Sequence, residues 1–131
     1  MIHVVDASSV VAALIDDGPT GRWCEARLSE ADLAAPALMP FEVANVIRRH
    51  ELRGVLPASD AANALHDLWR LQTMPVPFDV VADRVWALRE NLTVYDAAYA
   101  AVAEALDAKL VTLDARLATS PGLRCEVLVA P

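Results

Sequence analysis

The chain has 131 residues, enough for one domain, and 56% of them are hydrophobic, so a core can form without disulfides or structural metals. Its apolar runs are broken by charge well before the ~18 residues of a membrane span, and its N-terminus lacks the basic segment of a signal peptide. We therefore expect a soluble cytoplasmic protein with no membrane contact, and the net charge of −7 argues against a nucleic-acid binder with a basic face unless the acids surround metal ions.

The two cysteines, Cys24 and Cys125, lie far apart in the chain and belong to no Cys/His cluster. This spacing argues against a zinc site. We expect two free thiols, although a disulfide would be open to them if they met in space.

The first half of the chain predicts two strands among three helices. Ile2–Val5 is a short β-branched run typical of a buried strand, and Asp6 follows it directly. A weaker strand, Leu33–Ala35, is closed by Pro36. The predicted helices cover Ser8–Leu14, Thr20–Glu30 and the segment from Phe41 to Gly54, where the glycine ends the helix.

The second half alternates helices with strands in the same way. The predicted helices are Pro57–Gln72, Asp79–Asn91, a helix that follows Thr93, and the short Ala115–Ala118. The predicted strands are Val76–Phe78, Lys109–Leu113 and Cys125–Val129. Pro77 indicates an edge or irregular position for the first of these strands. The helix after Thr93 is rich in alanine, which predicts close packing on a sheet.

Strands that alternate with helices indicate an α/β domain with a mainly parallel sheet. Ligands of such sheets bind beyond the carboxyl ends of the strands, at the point where the strand order reverses. Asp6 follows the first predicted strand, and Asp114 follows the strand Lys109–Leu113. Both carboxylates are therefore expected at that edge of the sheet.

Four acids on separate segments form the candidate site: Asp6, Glu42, Asp96 and Asp114. Most of them also have an ordinary explanation, because Asp6 and Asp114 could cap the helices that follow them and Glu42 suits the first turn of a helix. Asp96 is harder to explain, since Thr93 competes with it as the cap of its helix. Taken together, the four acids are placed where parallel-sheet geometry would bring them to one edge.

Convergence of these carboxylates requires a cation. Two carboxylates ~4 Å apart repel each other by roughly 4 kcal/mol at an effective dielectric constant of about 20. Oxygen ligands without His or Cys favour Mg²⁺ or Mn²⁺ over zinc. Such ions activate water and stabilise charge at phosphorus, so the chemistry that fits is hydrolysis of a phosphodiester.

Three polar residues accompany the acids. Ser8 and Thr112 place hydroxyls beside two of the carboxylates, where they can bond the carboxylate or a metal-bound water, although for Ser8 a bond to nearby backbone is the simpler alternative. Thr112 lies two residues before the last acid, on the same face of its strand, which favours a pocket-facing side chain. Asn45, one turn after the second acid, could orient that carboxylate.

Three segments resemble PIN-domain ribonucleases, specifically the VapC-type toxins of VapBC toxin–antitoxin systems. The segments are VVDASSVVAALI near the start, PFEVANVIRR in the middle and YDAAYAAVAEALDAKLVTLDARLA towards the end. Each motif alone is weak, but together they occur in the order of the family, and the resemblance covers essentially the whole chain.

The resemblance implies a single PIN domain over residues 1–131, with a three-layer α/β/α fold around a central parallel sheet. It implies a set of catalytic metal ligands: Asp6, Glu42, Asp96 and Asp114, supported by Thr112 and Asn45. It further implies Mg²⁺- or Mn²⁺-dependent endonucleolytic cleavage of RNA, often tRNA or rRNA, with growth arrest. Its implied partners are a second copy of the chain in a homodimer and a cognate VapB-type antitoxin, whose basic side chain reaches the acids.

An acidic protein must still hold RNA. Four arginines are the candidate phosphate contacts, with a solvated basic face as the alternative for each: Arg48, Arg49, Arg53 and Arg116. Tryptophan side chains could stack bases. The helical spacing of the three tryptophans among apolar residues instead favours the core: Trp23, Trp69 and Trp86.

Two other functions are open. A receiver-like phosphoacceptor domain also binds Mg²⁺ in an acidic pocket, but it needs paired acids after the first strand and a lysine after a later one. Here Asp6 is single, and the only lysine, Lys109, begins its strand. A non-catalytic PIN-like binding module is the other alternative, and the presence of all four acids speaks against it.

Overall fold

The computed structural model describes residues 1–131 and has a five-stranded sheet at its centre. The strands are β1 (Ile2–Val5), β2 (Asp32–Pro36), β3 (Met74–Val76), β4 (Lys109–Thr112) and β5 (Val127–Val129). The helices are α1 (Ala7–Ile15), α2 (Pro19–Ser29), α3 (Met39–Leu52), α4 (Ala58–Arg70), α5 (Phe78–Ala87), α6 (Val94–Ala105) and α7 (Ala115–Ala118). Helices cover both faces of the sheet, which confirms the three-layer α/β/α fold. None of these helices has the length and apolar character needed to cross a membrane.

Every neighbouring pair of strands is parallel, and the strand order is β3-β2-β1-β4-β5. Val4 of β1 is paired with Ala34 of β2 on one side and with Leu110 of β4 on the other. The order reverses at β1, because the chain first adds strands on one side of it and later adds them on the other. The crevice at the carboxyl ends of β1 and β4 is therefore the binding position that this topology favours.

Helix α6 lies against three strands, β1, β2 and β4. All residues from 97 to 103 are buried, and most of them are alanine. Small side chains allow the backbone of a helix to approach its neighbour closely, since the distance between packed elements depends on the side chains between them. The alanine pattern of this helix thus predicted its packing correctly.

Strand β3 lies two residues before its predicted position. It ends at Val76, because Pro77 has the extended backbone of a helix N-cap (φ −74°, ψ 158°) and Phe78 opens α5. The edge position is confirmed, since β3 pairs with β2 alone. Pro75 is tolerated there because one side of an edge strand makes no ladder hydrogen bonds.

Two of the three tryptophans do not belong to the core, so that prediction is wrong for them. Trp69 is 87% exposed and Trp86 is 61% exposed, whereas Trp23 packs partly buried against the core. The buried stripe of α4 ends at Leu68 and that of α5 ends at Val85. Each exposed tryptophan is the next residue, and is therefore rotated about 100° out of the stripe.

Both cysteines are free thiols, as expected. Cys24 is buried in α2, and Cys125 is partly buried just before β5. Burial raises the pKa of Cys24 to about 11, and the charges of Asp6 and Asp16 add to this effect. The Cys24 thiol therefore stays protonated and unreactive at neutral pH.

Candidate active site

Asp6 lies at the carboxyl end of β1 and has two structural roles. Its backbone N–H donates to the Val111 carbonyl of β4 (3.1 Å), which continues the contact between these strands. Its Oδ1 accepts a hydrogen bond from the Ser9 N–H (2.9 Å), so the side chain caps α1. The chain therefore turns from strand to helix at a buried carboxylate.

Two hydroxyl groups hold the Asp6 carboxylate at the junction of β1 and β4. Ser8 Oγ donates to Oδ1 (2.7 Å), and Thr112 Oγ1 donates to Oδ2. The same two hydroxyl oxygens accept the backbone N–H groups of Leu113 (3.2 Å) and Asp114 (3.0 Å), respectively. Both hydroxyls thus bond the carboxylate, and the backbone bond that Ser8 makes is to Leu113, far along the chain, rather than to its own helix.

Glu42, in the first turn of α3, is bonded by a residue that the sequence analysis missed. Tyr99 of α6 is buried, and its hydroxyl donates to Glu42 Oε1 over 2.5 Å. A signal for it was present, because Tyr99 lies three residues after Asp96 and so shares a face of the helix with it. This hydrogen bond fixes the Glu42 side chain of α3 against the Tyr99 hydroxyl of α6.

Asp96 and Asp114 have different partners. Thr93 caps α6 by accepting the Asp96 N–H (3.1 Å), so the half-buried Asp96 carboxylate has no capping role. Asp114 caps α7 through the Arg116 N–H (3.0 Å). The Arg116 guanidinium also contacts both carboxylate oxygens of Asp114, with Nε to Oδ1 at 3.2 Å and Nη2 to Oδ2 at 3.1 Å. Asp114 therefore forms an ion pair with Arg116 of the same chain.

Three of the acids share one electrostatic environment. Burial raises the pKa of Asp6, and the hydrogen bonds to its oxygens offset this only in part. Burial also raises the pKa of Glu42, and the charges of Asp6 and Asp96 raise it further, although the bond from Tyr99 opposes them. Negative charge has therefore accumulated at this edge of the sheet.

Arg116 connects the fourth acid to this environment. Its hydrogen bonds lower the pKa of Asp114, and its own pKa is raised by Asp114 first and then by the charge of Asp96. Arg116 was predicted to contact RNA phosphate, and in the structure its side chain is almost fully exposed while it pairs with Asp114. Exposed ion pairs of this kind add little stability, so the guanidinium can exchange partners readily.

The other predicted contacts lie along α3. Asn45 lines a cavity of about 450 Å³ together with Glu42, but its role in orienting that carboxylate stays a prediction. Arg48 and Arg49 are exposed one to two turns farther along, and Arg53 caps the far end of the helix. Their role in binding RNA stays a prediction. A larger groove of about 960 Å³ lies between α3 and α4, and it is mainly apolar and lined by no acid.

The donor set suits a hard divalent cation, because the acids offer oxygens and carry excess negative charge. As the side chains are placed, however, no three His, Cys, Asp or Glu residues form a group that could hold a metal ion. The structure brings Asp6, Glu42 and Asp96 into electrostatic contact and connects Asp114 to the same edge through Arg116. A metal site shared by all four stays a prediction.

Known proteins resemble this chain over almost its full length. Residues 3–122 match the model of the family described as PIN domain. The chain is 39% identical over 128 residues to Ribonuclease VapC9 of Mycobacterium tuberculosis, and the match covers 98% of this chain and 98% of that protein. It is 40% identical over 125 residues to Ribonuclease VapC1 of the same species, covering 95% of this chain and 94% of that protein.

A solved structure has the same fold. The crystal structure of VapBC2 from Rickettsia felis, bound to a DNA fragment from its promoter, matches with a TM-score of 0.72, 15% identity and complete coverage of both chains. At this identity the likeness shows the fold alone.

The strand order of this chain, β3-β2-β1-β4-β5, differs from the 2-1-3-4-5 order of receiver domains, so the receiver-like alternative is wrong.

Proposed function

This chain belongs to the PIN-domain family, among the VapC ribonucleases, and from this premise we propose that it is the metal-dependent endoribonuclease toxin of a type II toxin–antitoxin pair. The observation that carries the proposal is the buried Asp6 carboxylate at the reversal of the strand order, with the charges of Glu42 and Asp96 acting on the same place. Burying a carboxylate is unfavourable, and acids whose pKa values are raised in this way are concentrated where their charge serves chemistry.

We propose that the four acids supply the oxygen ligands of Mg²⁺ or Mn²⁺: Asp6, Glu42, Asp96 and Asp114. When bound, such an ion would activate a water and stabilise the negative charge of the scissile phosphate. Three of these carboxylates already have hydrogen-bond partners within the protein, which hold the orientation of their oxygens.

Residues of the chain prepare this edge for a phosphodiester. Thr112 and Ser8 hold the orientation of the Asp6 carboxylate, and Tyr99 holds that of Glu42. Arg116 is an exposed basic side chain that contacts Asp114. We propose that it moves from Asp114 to a phosphate oxygen of the substrate, because guanidinium groups bind phosphate and carboxylate in the same bidentate manner.

We further propose that residues 1–131 act as one PIN domain, in the cytoplasm, on tRNA or rRNA. Its protein partners would be a second copy of the chain and a cognate VapB-type antitoxin. The net charge of −7 suits a basic antitoxin segment, since complementary charge favours association. The apolar groove between α3 and α4 offers surface for such protein contacts.

Cleavage of RNA tests the proposal directly. Purified tRNA and rRNA should be cut in Mg²⁺ or Mn²⁺ and left intact in EDTA. Loss of a residue that only orients a metal ligand lowers activity by roughly 10–100-fold. Asp96→Asn should lower the cleavage rate by more than this, because Asp96 is proposed to bind the metal itself. Asp83→Asn, which neutralises an exposed acid of α5, is the matched control and should cleave like the wild type. Full activity of Asp96→Asn, or cleavage of RNA in EDTA, would contradict the proposal.

Thermal melting separates metal binding from cleavage. Mg²⁺ should raise the melting temperature of the wild type and of Asp83→Asn, because a ligand that binds only the folded state stabilises it. The increase should be smaller for Asp96→Asn. Binding of RNA without turnover, at any metal concentration, would instead indicate the non-catalytic module.

A further inference from the structure

Two exposed aromatic side chains flank the acidic edge. Phe41 directly precedes Glu42 in the first turn of α3, and Tyr95 directly precedes Asp96 in the first turn of α6. Phe41 is 80% exposed and Tyr95 is 61% exposed. Each of these two acids is thus preceded by a large ring that the fold leaves uncovered.

Both rings line the same cavity. It has a volume of about 450 Å³, and its other lining residues are Leu38, Glu42 and Asn45. Because Glu42 lines this cavity and is also close enough to Asp6 and Asp96 to feel their charges, a group bound in the cavity lies next to the proposed reaction centre. No basic side chain lines it, so the cavity is not built for a phosphate.

Shape and charge identify the occupant. Two aromatic rings and the Asn45 amide suit a flat, neutral group with hydrogen-bonding edges, and a nucleobase has these properties. Stacking on aromatic side chains is tolerant of sequence and strengthens binding by about 5- to 150-fold per base. It also matters more in a chain of net charge −7, which attracts the phosphate backbone poorly.

We propose that Phe41, Tyr95 and Asn45 form a nucleobase subsite that holds one unpaired base beside the scissile linkage. The inference rests on the proposed ribonuclease function, and it requires that the base held in the cavity is unpaired, because a paired base cannot reach an aromatic face. Phe41 also borders the apolar groove between α3 and α4, which is the larger surface and suits a protein.

Strands with and without bases test the subsite. The probes are fluorescein-labelled oligo(dA) and an abasic deoxyribose-phosphate strand of the same length, with binding measured by anisotropy in Mg²⁺. DNA is used because a ribonuclease does not consume it. The wild type should bind oligo(dA) about 5- to 150-fold more tightly than the abasic strand. Phe41→Ala and Tyr95→Ala should each lose most of this preference while binding the abasic strand unchanged.

Phe78→Ala is the matched control. Phe78 is 63% exposed in the first turn of α5 and does not line the cavity, so its removal should leave the preference for bases intact. Melting temperatures should confirm that all three variants fold. Equal binding of both strands by the wild type would overturn the subsite, as would an undiminished preference in Phe41→Ala and Tyr95→Ala. Absence of RNA cleavage by the wild type would contradict the ribonuclease function instead, so the two failures are distinguishable.

Discussion

A single hydroxyl, that of Thr112, joins two of the four acids. It donates to the Asp6 carboxylate and accepts the backbone N–H of Asp114. One hydroxyl has a donor and two acceptor lone pairs, so Thr112 can serve both residues at once, whereas a valine of the same shape could serve neither. The relative position of these acids therefore depends on one threonine at the end of β4.

Tyr99→Phe tests whether a hydroxyl also positions Glu42. The change keeps the buried ring and removes the hydrogen bond that favours the ionised carboxylate. We expect the pKa of Glu42, which burial already raises, to rise further, and RNA cleavage to fall by about 10–100-fold. NMR titration of the Glu42 side chain measures the first effect, and cleavage kinetics as a function of pH measure the second.

Tyr95→Phe is the control for this substitution, because it removes an exposed hydroxyl from the same helix and keeps the ring. It should leave the pKa of Glu42 unchanged. If Tyr99→Phe also left that pKa unchanged, the Tyr99 hydroxyl would have no positioning role.

Among the elements, α1 and α2 approach each other closely at Gly21. A Cβ at Gly21 would lie 1.7 Å from the Asp16 carbonyl oxygen and 2.9 Å from that of Ala12. Both are backbone atoms at the end of α1, so no side-chain rotation can make room. The two helices can pack at this distance only because residue 21 has no side chain.

Gly21→Ala should therefore destabilise the fold by about 3 kcal/mol or more, the upper range of overpacking effects, in urea unfolding. Gly18→Ala is the matched control, because its Cβ would meet only the movable Asp16 side chain, at 3.0 Å. We expect a much smaller loss of stability for Gly18→Ala. Equal losses in the two variants would contradict the argument from close approach.

Most elements could be predicted from sequence because their signals are local. The alanine run of α6, the apolar run of β4 and the turn residues between elements lie within a few positions of what they specify. Pro77 misled the prediction because proline is compatible both with an edge strand and with a helix cap. Trp69 and Trp86 misled it because one residue of phase on a helix separates core from solvent.

The candidate site could be predicted only in outline. The positions of Asp6 and Asp114 follow from a general rule of parallel sheets, which needs no coordinates. The bond from Tyr99 to Glu42 and the pairing of Arg116 with Asp114 depend on contacts between side chains, which a single sequence does not contain. The same holds for the cavity that Phe41 and Tyr95 share.

Over the whole molecule, Arg84 and Glu104 join α5, α6 and the segment before β5. Arg84 Nε lies 2.6 Å from Glu104 Oε1, and Arg84 Nη2 donates to the Gly122 carbonyl over 2.6 Å. Glu104 Oε2 accepts the Arg124 N–H over 3.0 Å. The Glu104 side chain is nearly buried, so this group of bonds holds the C-terminal part of the chain to the helical layer.

Glu104→Gln should reveal this contribution through pH. Burial alone would raise the pKa of Glu104, but the hydrogen bonds from Arg84 and the Arg124 N–H bring it below its ordinary value of 4.5. A lowered pKa in the folded state stabilises the protein above pH 4.5, and this stability is lost as pH falls through the lowered pKa. Glu104→Gln should be less stable than the wild type by roughly 1–3 kcal/mol at neutral pH, with a difference that shrinks in acid. Urea unfolding from neutral to acid pH measures the stability difference between the two proteins and its decrease.

Glu126→Gln is the control for the pH series. Glu126 is exposed, and its Oε2 lies 3.6 Å from Lys109 Nζ, so it forms an ion pair at the surface rather than a buried one. Its stability should follow that of the wild type at every pH, since exposed pairs contribute little. A Glu104→Gln difference that stayed constant from neutral to acid pH would show that the ionised Glu104 is not the source of the stability.

The position of β1 between β2 and β4 has a consequence for synthesis of the protein. The ribosome releases Asp6 and Glu42 early, but Thr112 and Asp114 emerge only with the late strand that completes the centre of the sheet. A nascent chain thus carries three of the acids, Asp6, Glu42 and Asp96, before the strand that orients Asp6 has been made, so the proposed site is complete only once β4 is present.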